Sequence, residues 1–281
     1  MSQKSYSNNK STLFIIPTPI GNMDDITIRA LNTLKELDII FSEDTRVTKQ
    51  LLSYYDIPNK KLISSHNFNE SKNDDLLLKY LNEGKNVGVV TDRGTPIISD
   101  PGYELVKIAI NNDFNVVSLP GPTALIPALT ASGLNPSPFM FYGFLNSKES
   151  KRKKELEKLK KYPMTLIFYE APHRLINTLD NIKEVLGNRK ISISREISKK
   201  FEEIYRGTIE EIIKELDEVK GELVIVVDGN YDENDFSDLS IIEHVNLFIK
   251  EGYSTMDAIK LVAKERKTTK NIIYSEYHRG D

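Results

Sequence analysis

The 281-residue chain contains no cysteine. It can therefore form no disulfide, use no thiol nucleophile and bind no zinc or iron–sulfur centre through sulfur, and the composition agrees with a reducing compartment. Histidine is scarce as well, with four residues at positions 66, 173, 244 and 278, and no two of them are four residues apart. We therefore expect no protein-bound transition metal.

Long apolar runs and a strong charge excess are also missing. No run approaches the ~20 apolar residues that span a bilayer, and the polar segment Met1–Ser11 does not resemble a signal peptide. We therefore expect a cytoplasmic protein with no membrane partner. The formal net charge is −3, whereas dedicated nucleic-acid binders are usually basic. Any RNA partner would have to be held by local basic patches.

The glycine-rich signatures of common nucleotide sites are absent. No Gly-x-Gly-x-x-Gly follows the first apolar run, and no Gly-x-x-x-x-Gly-Lys-Ser/Thr occurs, which excludes the ordinary Rossmann-type loop and the triphosphate loop. Apolar runs lead instead into three Gly/Pro turns rich in small polar residues, Thr18–Asn22, Thr91–Gly102 and Ser118–Thr123. Their exposed backbone groups suit a ligand with adenine, ribose and amino-acid parts, bound where strands of an open α/β sheet end.

The order of apolar runs and helical patterns predicts an α/β protein. Strands and helices alternate in the first half, which favours a mostly parallel sheet. After the Pro/Gly/Ser-rich connection 133–138 the pattern becomes mixed. We predict a disordered tail over 1–11, an N-terminal α/β domain over 12–133, a C-terminal α/β domain over 134–229, an acidic linker over 230–237 and a small helical appendage over 238–281.

Seven blocks, taken in order, carry a family resemblance. They are Pro17–Leu31, Ser42–Arg46, Thr91–Gly102, Pro120–Ala124, Phe168–Arg174, Arg195–Lys199 and Gly221–Leu223. Together they resemble the tetrapyrrole-methylase-fold, S-adenosylmethionine-dependent methyltransferases. Within that superfamily they are similar to the bacterial enzymes that methylate the ribose of a decoding-centre cytidine in 16S ribosomal RNA. The resemblance runs from about Leu13 to Gly229 and implies a cofactor bent into an interdomain cleft, a substrate within the small ribosomal subunit, and a homodimer.

The resemblance also implies which residues line the cofactor site. By motif position they are Pro19, Gly21, Asp92, Gly94, Thr95, Ile98, Ser99, Gly121, Pro122, Thr123, Ala124, Phe168 and Tyr169. Turn geometry is the alternative for each Gly and Pro, and core packing is the alternative for the two aromatic residues.

Two residues of the third block depart from the family pattern. The family usually has a small residue where Arg93 stands and a glycine where Ile97 stands. If that glycine has a positive φ, Ile97 is strained there. We expect the Arg93 side chain to point to solvent.

The implied reaction is in-line displacement of a sulfonium methyl group by a ribose 2′-oxygen. The methyl donor is already activated, so no metal is required, and rate acceleration comes from positioning and from removal of the hydroxyl proton. Glu43 is the first candidate for that step, with Asp44 orienting it, and Glu170 is the second candidate. Helix capping is the alternative for each of these carboxylates.

Basic residues in the matched blocks predict RNA contacts. Arg46, Arg174, Arg195 and Lys199 are the candidates, since the arginine fork suits phosphate. The lysine-rich stretch 148–161 is interpreted mainly as a solvated helix face, and Lys264, Arg266, Lys267 and Lys270 as parts of a small RNA-docking appendage. Two alternative functions stay open at this point: a tetrapyrrole methylase of the same fold, and a non-catalytic ribosome-assembly factor.

Overall fold

The computed structural model describes residues 2–5, 7–65, 70–216, 219–230, 239–250, 252–266 and 268–279. Except for Asn230, the predicted acidic linker lies outside the described residues. Lys267 also lies outside them. The chain divides into two compact units, Met1–Gly229 and Asn230–Asp281.

The first half of the larger unit is built on a parallel five-stranded sheet, as predicted. Its strands are β1 (Thr12–Ile15), β2 (Ile39–Ser42), β3 (Lys61–Ser64), β4 (Val87–Val90) and β5 (Asn115–Ser118), in the order β3-β2-β4-β1-β5. The helices that follow them are α1 (Ile28–Glu36), α2 (Thr45–Tyr54), α3 (Glu70–Asn82), α4 (Tyr103–Asn111) and α5 (Leu125–Ser132). All residues of β4 are buried, because helices cover both faces of the sheet.

Side-chain alternation along β2 shows how the two faces are filled. Phe41 joins the core formed with Leu77 of α3 and Leu105 of α4. Ile40 points to the opposite face, where Leu34 of α1 packs. Because all five strands are parallel, their carboxyl ends meet at one edge, and the strand order places the turns after β4, β1 and β5 side by side. The three predicted ligand-binding turns are therefore neighbours.

The second half of this unit contains a mixed sheet, which agrees with the change of pattern after residue 138. Its strands are β6 (Phe139–Phe144), β7 (Thr165–Glu170), β8 (Lys190–Arg195), β9 (Glu203–Thr208) and β10 (Leu223–Val227), in the order β6-β7-β10-β8-β9. Only the β6–β7 pair is parallel. The helices of this half are α6 (Glu149–Leu159), α7 (Leu175–Leu186) and α8 (Ile209–Glu215). A 3-10 turn, Pro172–Arg174, leads directly into α7.

Helix α5 connects the two sheets. Although it precedes the predicted boundary at residue 133, its residues Ala128 and Leu129 pack against Ile167, Val224 and Val226 of the second sheet. The other face of that sheet is covered by α6, α7 and α8. Helix α5 therefore follows the last strand of the first sheet in sequence, but it packs in the core of the second sheet.

The N-terminal segment, which the sequence predicts to be disordered, lies along the edge of β5. The Gln3 side chain donates to the Val116 carbonyl at 2.9 Å and accepts from the Val116 N–H at 3.0 Å. Asn8 and Asn115 exchange side-chain hydrogen bonds of 3.1 and 2.8 Å. These contacts satisfy the polar groups that an edge strand leaves unpaired, which composition alone does not reveal.

The smaller unit is helical, as predicted, and contains α9 (Ile241–Lys250), α10 (Thr255–Glu265) and α11 (Lys270–His278). His244 is buried, with Nε2 2.9 Å from Glu265 Oε2, and its Nδ1 accepts from Arg266 at 3.1 Å. Burial lowers the pKa of His244. Arg266, predicted to contact RNA, thus supports the core of its own unit. None of the described helices is long and apolar enough to cross a membrane.

Candidate active site

A cavity of about 620 Å³ lies between the carboxyl ends of the first sheet and the second sheet. Such a volume is in the range of pockets for small molecules and cofactors. The predicted cofactor residues that line it are Asp92, Gly94, Thr95, Ile98, Ser99, Thr123, Ala124 and Tyr169. The structure therefore brings together side chains that follow β4 and β5 with one from β7.

Hydrogen bonds join the three turns that form the first wall. The Thr18 and Gly94 backbones exchange two bonds, N–H to carbonyl, of 2.9 and 3.0 Å. The Thr95 hydroxyl donates to the Pro122 carbonyl at 2.9 Å. The turns after β1, β4 and β5 are thus held as one surface.

Five predicted cofactor residues do not line the cavity: Pro19, Gly21, Gly121, Pro122 and Phe168. Pro19 is buried in its turn. The two glycines allow close packing, since a Cβ at Gly121 would lie 2.5 Å from Pro17 Cβ, and one at Gly21 would lie 2.3 Å from Lys199 Cγ. Close packing, the alternative interpretation, accounts for the two glycines.

Phe168 and Tyr169 separate because successive side chains of a strand point to opposite faces. Phe168 is fully buried in the core beneath α6 and α7, whereas Tyr169 faces the cavity. Burial raises the pKa of Tyr169, while hydrogen bonds with Thr123 and with the Leu125 backbone act in the opposite direction. The alternation rule applied to β7 could have distinguished the two residues.

The loop after β4 has an unusual backbone. Ile97 has φ +80° and Ser99 has φ +68°, so the strain expected at Ile97 is confirmed. A β-branched residue in this conformation costs roughly 1–2 kcal/mol. The loop reaches the second sheet, because Ser99 Oγ lies 3.3 Å from the position of a Cβ on Gly143, a residue with φ +84° at an irregularity of β6.

Glu43 connects the ends of β2 and β4. Its Oε2 accepts from the Thr91 hydroxyl at 2.5 Å and from the Asp92 N–H at 3.2 Å. Asp92 Oδ1 in turn accepts from the Asp44 N–H at 3.1 Å. The first catalytic candidate therefore lies on the cavity wall, and it also positions the backbone of the next strand.

Asp100 is a cavity residue that is not among the site candidates named from the sequence. It lines the cavity together with Glu43 and Asp92. Burial, and then the charge of Glu43, raise the pKa of Asp100 to about 6, although a hydrogen bond with Thr91 opposes the shift. Burial and Glu43 also raise the pKa of Asp92. No group suited to hold a metal ion occurs among the described His, Cys, Asp and Glu side chains.

The other two catalytic candidates have structural partners. Asp44 is the N-cap of α2 and pairs with Arg46 at 2.6 Å, which lowers the pKa of Asp44 to about 2. Glu170 is buried at the cavity wall, where it accepts from the Thr178 hydroxyl at 2.6 Å and forms a 3.3 Å ion pair with Arg174. The capping alternative therefore describes Asp44, whereas Glu170 caps no helix, because the N-cap residues that follow it are Ala171 and Arg174.

The predicted RNA-binding cations near the cavity are also engaged. Arg174 donates to the Leu145 carbonyl at 2.8 Å, and Arg195 pairs with Glu203 at 3.0 Å. Lys199 pairs with Glu196 at 2.8 Å and with Glu222 at 3.0 Å, and Glu222 also pairs with Arg93. Arg93 therefore reaches the second half of the unit, and its side chain stays 53% exposed, in line with the expectation that it points to solvent. We call Arg93, Glu196, Lys199 and Glu222 the rim network.

Comparison with known proteins decides the family. Residues 12–213 match the family model of the tetrapyrrole (corrin/porphyrin) methylases. The chain belongs to this family. It is 46% identical over 274 residues to "Ribosomal RNA small subunit methyltransferase I" of Bacillus subtilis (strain 168), covering 95% of this chain and 94% of that protein. A protein of the same name from Halalkalibacterium halodurans is 44% identical, with 99% of each chain covered.

Solved structures support the same fold. The methyltransferase CobJ aligns with a TM-score of 0.60 at 18% identity, covering 78% of this chain and 95% of that one. Uroporphyrin-III C-methyltransferase from Thermus thermophilus, complexed with S-adenosyl homocysteine, aligns with a TM-score of 0.56 at 19% identity, covering 78% and 97%. The predicted fold is confirmed, and the chain is a methyltransferase of this family.

Proposed function

We propose that this methyltransferase uses S-adenosylmethionine to methylate the ribose 2′-oxygen of a decoding-centre cytidine in 16S ribosomal RNA, within the small subunit and in the cytoplasm. The observation that carries the proposal is the cavity formed by the predicted turns. Its wall includes Asp100, a carboxylate that does not serve as a helix N-cap. Relatives that are 42–46% identical over nearly the full chain and are named for small-subunit ribosomal RNA support the substrate.

The cavity residues fit the cofactor. Gly94 and Ala124 leave room at the wall, and Thr95, Thr123 and Tyr169 add polar atoms. Asp92, Asp100 and Glu43 place negative charge beside the space that a positively charged sulfonium would occupy. When bound, S-adenosylmethionine supplies a methyl group whose bond to sulfur breaks, with the electron pair left on sulfur.

In this proposal Asp100 accepts the proton of the ribose 2′-hydroxyl as the 2′-oxygen bonds to the methyl carbon. Because its pKa is raised to about 6, Asp100 is mainly ionised at neutral pH, yet it is a stronger base than an ordinary carboxylate. The proton then leaves Asp100 for water.

Thr91 connects Asp100 with Glu43. Its hydroxyl has one proton, which it donates to Glu43 at 2.5 Å. The interaction of Thr91 with Asp100 favours the ionised carboxylate and therefore opposes the upward shift of the Asp100 pKa. Glu43, which holds the Thr91 hydroxyl, acts as a positioning residue. Asp44 and Glu170 hold α2 and α7 in place.

Arg46 is the predicted RNA-binding residue that best keeps that role in our proposal. Its side chain is 86% exposed in the first turn of α2, two residues after Asp44, with which it pairs at 2.6 Å. Arg174, Arg195 and Lys199 are assigned to support of the cavity walls, in view of their protein partners.

The proposal includes a homodimer. Strand β6 is at an edge of its sheet and exposes Phe139, Tyr142 and Phe144, so it offers an apolar surface to a second copy. Light scattering tests this part: we expect twice the chain mass for the wild type and a monomer for Phe139→Glu.

The decisive experiment uses small ribosomal subunits from cells that lack the enzyme. We expect the purified protein to transfer a labelled methyl group to their RNA, and nucleoside analysis to place the label on the 2′-oxygen of one cytidine. Label on a base, or transfer only to a tetrapyrrole, would show that the assigned reaction is wrong. Subunit binding without transfer, even with saturating cofactor, would favour the assembly-factor alternative.

A further inference from the structure

Helix α6 has a solvent-facing surface made of lysines. Lys151, Lys154 and Lys158 recur at helical spacing, and Lys161 follows in the next turn; all four are exposed. The opposite side of the helix is buried through Arg152, Leu156 and Leu159. We call these four lysines the lysine face.

The three acidic residues of α6 have other partners, and the exposed Glu157 lies 4.0 Å from Lys160. Glu149 pairs with Lys153 at 2.9 Å, and Lys153 also pairs with Glu184 at 2.7 Å. Glu155 accepts from the Asn146 N–H at 2.8 Å. In the part of the chain that the structure describes, no carboxylate forms an ion pair with the lysine face. Like charges at this spacing destabilise a helix, so packing and capping do not explain why four lysines occur together.

The lysine face is rigidly connected to the cavity wall. Phe144, the last residue of β6, lines the cavity, and α6 begins five residues later. Two guanidinium groups fix the connection: Arg174 donates to the Leu145 carbonyl at 2.8 Å, and buried Arg152 donates to Asn181 at 2.7 Å and to the Asn146 carbonyl at 3.4 Å. From Lys151 to Lys158 the helix extends the positive surface by about 10 Å.

Ribosomal RNA is the partner that this charge fits. The chain as a whole is negative, and Arg93, Arg195 and Lys199 already have carboxylate partners. A phosphate backbone therefore meets net positive charge only at local surfaces such as this one. Lysines on flexible stems suit contacts that position an RNA backbone without reading its sequence.

We propose that the lysine face docks the sugar–phosphate backbone of the ribosomal RNA that flanks the methylated nucleotide. This inference rests on the proposed function. It adds a second contact region outside the cavity, which governs affinity for the substrate and leaves the methyl-transfer step unchanged.

The test replaces all four lysines, Lys151→Gln, Lys154→Gln, Lys158→Gln and Lys161→Gln, which preserves helix propensity. A matched control carries Lys35→Gln, Lys107→Gln, Lys190→Gln and Lys214→Gln, which removes the same charge from other exposed positions. Binding and methylation of unmodified small subunits are measured over a range of salt concentrations.

We expect the lysine-face variant to show at least about a tenfold higher KM at physiological salt, with kcat within about twofold of wild type. We also expect a weaker salt dependence of subunit binding. The slope of log K, the association constant for the subunit, against log salt concentration should be less steep by up to about 3, because each of four phosphate contacts contributes ~0.7 to that slope on single-stranded RNA. The fourfold Lys→Arg variant should restore both quantities.

The outcomes separate the two proposals. If the wild type methylates subunits and the lysine-face variant matches the control in KM and salt dependence, the docking surface is wrong. If the wild type transfers no methyl group but the lysine-face variant still loses subunit affinity, the docking surface stands and the proposed function is wrong.

A cross-link identifies the class of partner. Because the chain has no cysteine, Lys158→Cys provides a single thiol for a photoactivatable label. Cross-links from position 158 to ribosomal RNA near the modified cytidine support the proposal. Cross-links only to a ribosomal protein, or none to the subunit, would overturn it.

Discussion

Two groups of carboxylates lie at or next to the cavity, and their partners give them opposite properties. Glu43, Asp92 and Asp100 face one another, and burial together with their mutual repulsion raises the pKa of Asp92 and Asp100. In the rim network Glu196 pairs with Lys199, which lowers the pKa of Glu196. A proton or a bound cation would relieve the repulsion among Glu43, Asp92 and Asp100. The carboxylates of the rim network are already neutralised by Arg93 and Lys199. The first group is therefore suited to chemistry and the second to structure.

The largest effect should come from Asp100→Asn, which removes the proposed proton acceptor and keeps the side-chain shape. We expect kcat to fall roughly 10²–10⁴-fold, while the affinity for S-adenosylmethionine, measured by titration calorimetry, changes less than tenfold. Asp113→Asn, at an exposed position paired with Lys10, is the control. Near-normal turnover by Asp100→Asn would move Asp100 out of the reaction.

The pH dependence of kcat tests the coupling between Glu43 and Asp100. Since Asp100 must be ionised to accept a proton, kcat should decrease about tenfold per pH unit below about pH 6. Glu43→Gln removes a neighbouring negative charge and so lowers the pKa of Asp100. The acid limb of the profile should then shift to lower pH. An unchanged limb, or one shifted upward, would show that the two groups are not coupled as proposed.

Asp100 should also have a smaller effect, on the stability of the folded protein. The folded-state pKa of Asp100 is raised from 3.8 to about 6, so the folded protein binds this proton more tightly than the unfolded chain. The resulting stabilisation is present below about pH 4 and is lost as the pH rises to about 6. Asp100→Asn should therefore raise the urea midpoint relative to wild type at pH 7.5 more than at pH 4. Equal differences at both pH values would contradict the shift.

The smallest effect should come from the rim. Glu222→Gln weakens the ion pairs of Glu222 with Arg93 and Lys199. The Glu222 and Arg93 side chains are largely exposed, whereas that of Lys199 is mostly buried. Exposed ion pairs contribute at most about 1 kcal/mol, so KM for S-adenosylmethionine should change less than about fivefold and kcat hardly at all. A loss of kcat comparable with that of Asp100→Asn would remove the distinction between the two carboxylate groups.

Local sequence signals were sufficient for the sheet and the turns. The parallel sheet follows from alternating apolar runs and helical patterns, and the cavity turns follow from Gly and Pro at strand ends. Those turns meet because parallel strands end at one edge, a geometric rule that needs no knowledge of side-chain contacts.

Asp100 was missed because its surroundings depend on backbone geometry. Before a helical pattern and a proline, an aspartate indicates an N-cap, yet the N-cap of α4 is Gly102, without a side-chain bond. Positive φ values at Ile97 and Ser99 turn the chain so that Asp100 faces the cavity. A sequence pattern does not predict such a change in chain direction.

The basic residues illustrate a second limit. The types of Arg174 and Lys199 suggested phosphate binding, but Arg174 donates to the Leu145 carbonyl, and Lys199 packs over Gly21. Long-range partners of this kind become visible only in the folded structure.

The paired backbone bonds between Thr18 and Gly94 have a consequence for measurement. The two amides are each other's partners, so the turns after β1 and β4 can open to water only together. Their amides should therefore show the same protection factor in hydrogen–deuterium exchange. Two peptides far apart in sequence would then report a single opening event at the cavity wall, and ligand binding there should slow both by the same factor.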